Sequence, residues 1–279
     1  MPEHPKALLE RFGYRPKKRL GQNFLMDAGA SARIARLAAE GISPSARILE
    51  IGPGTGALTE ALLEIHPDVT AIDIDPDMVR ILRSRPELQR AQIVEADALA
   101  FDFEAFAHGG PWRMTGNLPY NIATPLMMRL IEMRNGPQTL VVMIQKEVAE
   151  RLAARPGSKA YGSLSVAVQY AMRVERAFVL GPGAFYPRPK IDSTVVRLTR
   201  RDEPAAPVLG EAWFLQVVRG AFAYRRKTLA NSLSLALGVP RAQTADALQQ
   251  LGLDTEIRGE QLALADFARL ADRLRAGRI

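Results

Sequence analysis

Four consecutive residues, Asn117-Leu118-Pro119-Tyr120, have the types and order needed to hold an amino group on a flat ring. Pro119 fixes its own φ and drives Leu118 out of the helical region, so the Leu118 carbonyl projects into space instead of entering a helix ladder. Asn117 sets a side-chain acceptor beside it. Two uncharged acceptors match the two N–H bonds of an exocyclic amine, and Tyr120 offers a π-face on which a nucleobase can stack. Adenine N6 is the natural guest. The same letters also fit a plain turn leaving a strand, because turns favour Asn and Pro, so position must decide between the two.

A glycine turn upstream supplies the position. Ile48-Leu49-Glu50-Ile51 runs into Gly52-Pro53-Gly54-Thr55-Gly56, after which helical periodicity resumes. Glycine suits a turn that needs positive φ and lets a ligand approach the backbone at a helix N-terminus. With Ala57 as the third small residue the letters also satisfy the dinucleotide fingerprint, so the turn alone does not separate NAD from S-adenosylmethionine. Asp73, about twenty residues on, can accept from both ribose hydroxyls, which either ligand owns. Asp97, after a third strand, can accept from the amino group of a cofactor adenine, or serve as a helix cap or turn residue. Glu50 favours S-adenosylmethionine, since a carboxylate beside the turn repels a pyrophosphate and suits an ammonium.

These residues need a scaffold, and the chain spells one. Short β-like runs at 46–51, 69–74, 91–96, 112–116 and 139–144 alternate with helical stretches, the pattern of a parallel α/β sheet. Runs at 172–180 and 193–199 read as a closing antiparallel hairpin, making seven strands in a Rossmann-like sheet. In such sheets the site lies beyond the carboxyl ends of the strands, so the glycine turn, Asp73, Asp97 and Asn117 to Tyr120 should converge on one crevice. After Arg201 a Pro-bearing connector leads to helical periodicity alone. The expected division is a catalytic domain over residues 1–200, with a basic N-terminal arm, and a small all-α domain over 201–279.

Composition bounds the rest. The chain has 279 residues, 47% of them apolar and 24% charged, as befits a globular protein with ample core. No apolar run approaches the roughly 18 residues that span a bilayer, and a start carrying Glu3, His4, Lys6 and Glu10 has no signal-peptide core, so a cytoplasmic protein without membrane association is expected. Zero cysteines exclude thiolate chemistry, and the scattered His4, His66 and His108 offer no metal cluster, so no metal is expected. A net charge of +7 is compatible with a polyanionic partner without requiring one. Arg11, Arg15, Lys17, Lys18 and Arg19 read as a solvated arm able to dock on phosphates, or as ordinary surface charge.

Taken in order, Gly21-Gln22-Asn23-Phe24-Leu25, Glu50 to Gly56, Asp73-Ile74-Asp75, Asp97, Asn117 to Tyr120, Phe185-Tyr186-Pro187-Arg188-Pro189-Lys190 and Arg225-Arg226-Lys227-Thr228-Leu229 resemble the ribosomal RNA adenine N6,N6-dimethyltransferases. The resemblance runs from about residue 17 to the C-terminus and is nearest the bacterial small-subunit branch. It implies a class I S-adenosylmethionine-dependent methyltransferase core with a helical C-terminal domain. The implied reaction moves two methyl groups from S-adenosylmethionine to each of two adjacent adenosines in the 3′-terminal hairpin of small-subunit RNA, leaving S-adenosylhomocysteine. The implied partner is that RNA in a partly assembled 30S particle, and a monomer is expected.

By position, the resemblance implies that Asn23 and Leu25 close over the cofactor and that Gly52 lines its methionine end, while Glu50 and Gly54 are counted among the cofactor-binding residues. Asp73 would then hold the ribose, Asp97 the adenine, and Asn117 would sit between cofactor and target. Tyr120 would stack on one face of the flipped base, with Phe185, in a Pro-stiffened loop, covering the other or merely packing the loop. Arg188, Lys190, Arg225, Arg226 and Lys227 are the expected RNA contacts, although 225–227 also fits a solvated helix face. Asp73 stands where the family usually has Glu, Thr55 where Leu is commoner and Ala230 where Arg is frequent.

Three rivals remain at this stage. A large-subunit adenine N6-methyltransferase of the antibiotic-resistance type shares the core motifs, although Arg225 to Leu229 and the 251–262 stretch favour the small-subunit enzyme. A nicotinamide oxidoreductase fits the turn and Asp73 but leaves Asn117 to Tyr120 unexplained. A ribosome-assembly factor could act mainly by binding.

Overall fold

Parallel strands covered on both faces must be apolar nearly throughout, and the runs at 47–51 and 139–145 meet that demand. The computed structural model describes residues 5–276, the side chain of Tyr120 excepted. Its strands are β1 (Phe24–Leu25), β2 (Arg47–Ile51), β3 (Val69–Asp73), β4 (Gln92–Glu95), β5 (Trp112–Asn117), β6 (Thr139–Gln145), β7 (Met172–Leu180), β8 (Phe185–Tyr186) and β9 (Ser193–Arg200). The main sheet has seven strands in the order β4-β3-β2-β5-β6-β9-β7. Neighbours from β4 to β6 pair in parallel, whereas β9 runs antiparallel to β6. Ile48, Leu49, Val141 and Val142 are fully buried at the sheet centre.

The order changes direction at β2 and β5, where chain connections leave to opposite sides. A crevice opens there at the carboxyl ends of the strands. Register brings the relevant ends level, because Ile51 stands beside both Ile72 and Gly116, and Asn117 beside Met143. Gly116 is what permits this approach. A methyl group there would lie 2.3 Å from the Ile51 carbonyl oxygen, and φ is +154°.

A second sheet, which sequence reading did not anticipate, is one antiparallel pair of β1 with β8, with Leu25 opposite Phe185 and Phe24 opposite Tyr186. The N-terminal segment is also structured, not a solvated arm. Pro5–Arg11 is a helix whose Leu8 and Leu9 are 1% exposed, clustered with Phe24, Met78 and Ile81. Apolar burial of Leu8 and Leu9 fixes the segment, while its cations stay exposed or ion-paired. Lys17 is ion-paired with Asp75 and Asp77, and Arg15, Lys18 and Arg19 stay exposed.

Backbone contacts divide the chain into two units. One comprises the residues up to Ala149 with Val174–Arg200, and the other Glu150–Arg173 with the residues from Arg201 onward. The second unit is helical, built on Ser163–Ala171, Glu211–Ala223, Leu229–Leu237, Arg241–Gln250 and Leu264–Ala276. Residues 150–173, assigned above to the catalytic domain, group with these helices. Tyr170 packs on Phe214 with ring centroids 4.5 Å apart, and the Tyr161 hydroxyl donates to the Leu262 carbonyl at 2.9 Å. Among the described residues no helix is long and apolar enough to cross a membrane.

The Gly116 contact yields a direct expectation. Gly116→Ala should lower unfolding stability by about 2–3 kcal/mol, because the added methyl forces β5 away from β2. Urea unfolding followed by circular dichroism measures this, and a change within about 0.5 kcal/mol would contradict the close approach.

Candidate active site

A cavity of about 160 Å³ lies at the carboxyl ends of β2 to β5. Its wall includes Asn23, Leu25, Glu50, Gly52, Gly54, Asp73, Asp97, Asn117, Leu118, Pro119 and Phe185, so all of the proposed cofactor residues and most of the proposed catalytic ones come together.

The glycine turn forms the floor. At Gly52, Gly54 and Gly56 φ is +66°, +55° and +84°. A methyl at Gly54 would lie 2.7 Å from the Phe24 ring, so the turn and β1 touch only because that side chain is missing. Sequence reading passed over the residue that fixes the turn. Arg85 is 6% exposed, donates to the Thr55 carbonyl at 2.6 Å and bonds Glu60 at 2.7 Å. The Thr55 side chain is buried, so its departure from the commoner Leu lies inside the turn and away from solvent.

The carboxylates differ in environment. Glu50 is 1% exposed and accepts a hydrogen bond from the Thr59 hydroxyl at 2.6 Å. Burial pushes its carboxyl up to about 7, with a further upward contribution from the Asp73 charge and a partial offset from Thr59. Among the described residues no cation pairs with it. Asp73, at the end of β3, is raised to about 6, chiefly by burial and then by Asp75. Backbone N–H groups of Asp75 (2.8 Å), Gly54 and Ile74 hold it. Asp97 accepts from the Leu99 N–H at 2.8 Å, so one of its oxygens closes a local turn while the residue lines the cavity. Arg129 supports this loop from the helix Tyr120–Glu132, donating to the carbonyls of Leu99 at 2.9 Å and Phe101 at 2.7 Å.

Asn117 closes β5 and is oriented by its own amide. Its Nδ2 donates to the Asn23 carbonyl at 2.8 Å, so its Oδ1 carries no partner among the described residues. Leu118 N–H is taken by the Met143 carbonyl at 3.0 Å. Pro119 caps the helix Tyr120–Glu132 in extended geometry, and the first backbone bonds, from Ile122 and Ala123, reach the Pro119 carbonyl at 3.1 Å. The Leu118 carbonyl therefore stays outside the helix ladder. Tyr120 opens that helix, while its side chain lies outside the described part of the structure.

Phe185 is not presented on a loop. Pairing of β8 with β1 folds it inward, where it is 2% exposed and clusters with Leu25, Met143 and Val195 while contributing to the cavity wall. Arg188 and Lys190 are exposed just beyond it. Arg225, Arg226 and Lys227 are exposed in the turn between Glu211–Ala223 and Leu229–Leu237, not on a helix face, and Tyr224 beside them is 44% exposed. Ala230, where the resemblance led to an expected Arg, is buried in the helix that follows.

The family model described as "Ribosomal RNA adenine dimethylase" matches residues 13–276. The chain is 47% identical over 267 residues to "Ribosomal RNA small subunit methyltransferase A" of Hahella chejuensis, covering 94% of each chain. It is 46% identical to the protein of that name from Pseudomonas aeruginosa, covering 95% of this chain and 97% of the other. Among solved structures, a dimethyladenosine transferase from Plasmodium falciparum superposes with a TM-score of 0.74 at 29% identity, covering 88% of this chain and 95% of that one. The 23S rRNA methyltransferase ErmE does so with a TM-score of 0.67 at 28% identity, covering 91% and 100%.

The buried Glu50 carboxyl makes a measurable prediction. Its folded value of about 7 lies above its ordinary 4.5, so the stability it contributes is complete below about 4.5 and is lost as pH rises through 7. Glu50→Gln should therefore be more stable than the parent at pH 8 by roughly 2–4 kcal/mol, with the difference vanishing near pH 4. Thermal unfolding of both proteins across this range checks it, and parallel profiles would contradict it.

Proposed function

The chain belongs to the ribosomal RNA adenine dimethylase family, whose members are S-adenosylmethionine-dependent methyltransferases, and we propose that it dimethylates N6 of two adjacent adenosines in the 3′-terminal hairpin of small-subunit ribosomal RNA. The observation that carries this reading is the Asn117 amide, which is tied through Nδ2 to the Asn23 carbonyl with its oxygen left to accept. The nicotinamide reading of the glycine turn falls with family membership. The small-subunit reading is favoured over the large-subunit one by relatives of that name at 46–47% identity, against 28% for ErmE.

The cavity fits S-adenosylmethionine on its own terms. A buried carboxyl without a cation partner among the described residues, a wall of glycine backbone at positive φ and a second carboxylate at the end of β3 match an ammonium, a closely approaching chain and a ribose. When bound, S-adenosylmethionine supplies a methyl group made electrophilic by its sulfonium. Glu50 would provide the counter-charge for the ammonium. Asp73 would accept from the ribose hydroxyls, and Asp97 from the adenine amine with its remaining oxygen.

Adenine N6 is a poor nucleophile because its lone pair is delocalised into the ring. Hydrogen bonds accepted by Asn117 Oδ1 and the Leu118 carbonyl would favour the pyramidal amine and stabilise the positive charge that develops on nitrogen. No strong base is required, since a nitrogen bonded to four groups sheds its proton readily. Leu25 and Phe185 form apolar wall, which excludes water from the reacting centre. In this reading Tyr120 alone stacks on the flipped base, and Phe185 supports the wall from within.

RNA recognition would rest on Arg188 and Lys190 in one unit and Arg225, Arg226 and Lys227 in the other. The substrate would be a partly assembled 30S particle, bound by a monomer in the cytoplasm.

Incubation of immature small subunits with labelled S-adenosylmethionine, followed by nucleoside analysis, tests the assignment. N6,N6-dimethyladenosine in small-subunit RNA is expected, whereas label confined to large-subunit RNA would contradict it. Asn117→Ala should lower the transfer rate by about 10²–10³ while RNA binding is largely kept, and near-normal double methylation by this variant would refute the role of Asn117. Replacing Arg225, Arg226 and Lys227 by Ala should reduce the slope of log affinity against log salt by about 2–3, and an unchanged slope would remove them from the RNA interface.

A further inference from the structure

One buried carboxylate at the edge of the site takes no part in the chemistry above. Asp75 is 1% exposed in the turn after β3. Its Oδ1 accepts from Lys17 Nζ at 2.7 Å and from the Asp77 N–H at 3.1 Å. Its Oδ2 accepts from the Tyr14 hydroxyl at 2.6 Å and from Gln22 Nε2 at 3.1 Å. Three of these donors belong to a segment 53 to 61 residues away in sequence. Capping the helix Pro76–Arg83 requires only the Asp77 bond, so the other three serve another end.

That end is visible in the next bonds along the chain. Gln22 Oε1 accepts from the Lys17 N–H at 2.8 Å while its Nε2 donates to Asp75, which fixes the Gln22 side chain from both ends of its amide. Asn23 Nδ2 donates to the Gly21 carbonyl at 3.0 Å, and the Asn23 carbonyl receives Asn117 Nδ2. The same Asp75 also donates its backbone N–H to Asp73. One residue thus joins the proposed ribose carboxylate, the strap of residues 20–25 and, through Asn23, the amide of Asn117.

We propose that Asp75 is a positioning residue for methyl transfer, clamping residues 14–22 so that the Asn23 carbonyl holds the Asn117 amide with its oxygen toward the target amine. The proposal rests on the reading of this cavity as the methyl-transfer site. Burial alone would push the Asp75 carboxyl up, but Lys17, Tyr14, the Asp77 N–H and Gln22 together outweigh it and hold the group below the usual carboxylate range, so the clamp is charged. The second transfer should feel its loss most. Once one N–H has been replaced by methyl, a single hydrogen bond must orient the amine, and a loosened Asn117 can no longer compensate.

Asp75→Asn keeps an acceptor for the helix start while turning the other oxygen into a donor that faces Gln22 Nε2. Tyr14→Phe keeps the ring that packs edge-on to Phe24 at 6.2 Å and removes only the hydroxyl. Each variant is compared with the parent by hydrogen exchange, by calorimetric titration with S-adenosylmethionine and by nucleoside analysis after reaction with immature small subunits. Expected are faster exchange in residues 17–25 with no change in 48–51, a kcat lowered about tenfold at unchanged KM for the particle, and accumulation of N6-methyladenosine at matched extents of first transfer. That ratio does not respond to a smaller folded fraction. Parental kcat, product ratio and exchange in both variants would overturn the proposal, and Tyr14→Phe decides alone should Asp75→Asn fail to fold. A parent protein that binds no S-adenosylmethionine would instead overturn the functional reading, while the exchange data still decide the clamp.

Discussion

The hydrogen bond from Asn117 Nδ2 to the Asn23 carbonyl is the constraint on which the site depends. An amide offers a donor and an acceptor at opposite corners, and only a fixed partner for one decides what the other presents. Committing the nitrogen to Asn23 leaves the oxygen for a ligand. That commitment requires residues 20–25 to stay against the carboxyl edge of the sheet, where a short segment has little stability of its own. Three devices keep it there: the β1–β8 pair, the cluster of Phe24 with Leu8, Leu9, Met78 and Ile81, and the Asp75 network.

In the proposed reading, electrostatics suits such a cavity to a cationic guest. Two carboxyls, Glu50 and Asp73, are carried into a poorly solvated space at a cost visible in their raised proton affinities. A ligand bearing an ammonium and hydroxyl donors returns to these groups what water no longer provides, so occupancy and ionisation reinforce each other. Arg85 acts on the backbone beneath, holding the Thr55 carbonyl, and among the described residues no Lys, Arg or His lines the cavity.

Much of this was legible in the sequence. The central strands β2, β3, β5 and β6 stood out because strands covered on both faces are nearly continuous apolar runs, and topology then forced the glycine turn, Asp73, Asp97 and Asn117 onto one edge. The hidden parts depend on long-range packing. A strand of two residues, such as β1 or β8, has no periodicity to read, so the inward turn of Phe185 left no local trace. Residues 150–173 join the helical unit through Tyr161 and Tyr170, partners that lie far along the chain. Lys17 looked like one cation of a solvated arm because the carboxylates that hold it are about sixty residues away. Gln22 sat in a recognisable motif, yet its work as a strut between Lys17 and Asp75 appears only in three dimensions.

The orientation of the Asn117 amide is the central claim, and a high-resolution structure of the protein with S-adenosylhomocysteine and adenosine addresses it most directly. The expected result is adenosine N6 within about 2.7–3.2 Å of both Asn117 Oδ1 and the Leu118 carbonyl, with Asn117 Nδ2 still bonded to the Asn23 carbonyl. An amide turned the other way, or an adenine bound with its amine away from these two oxygens, would contradict the account.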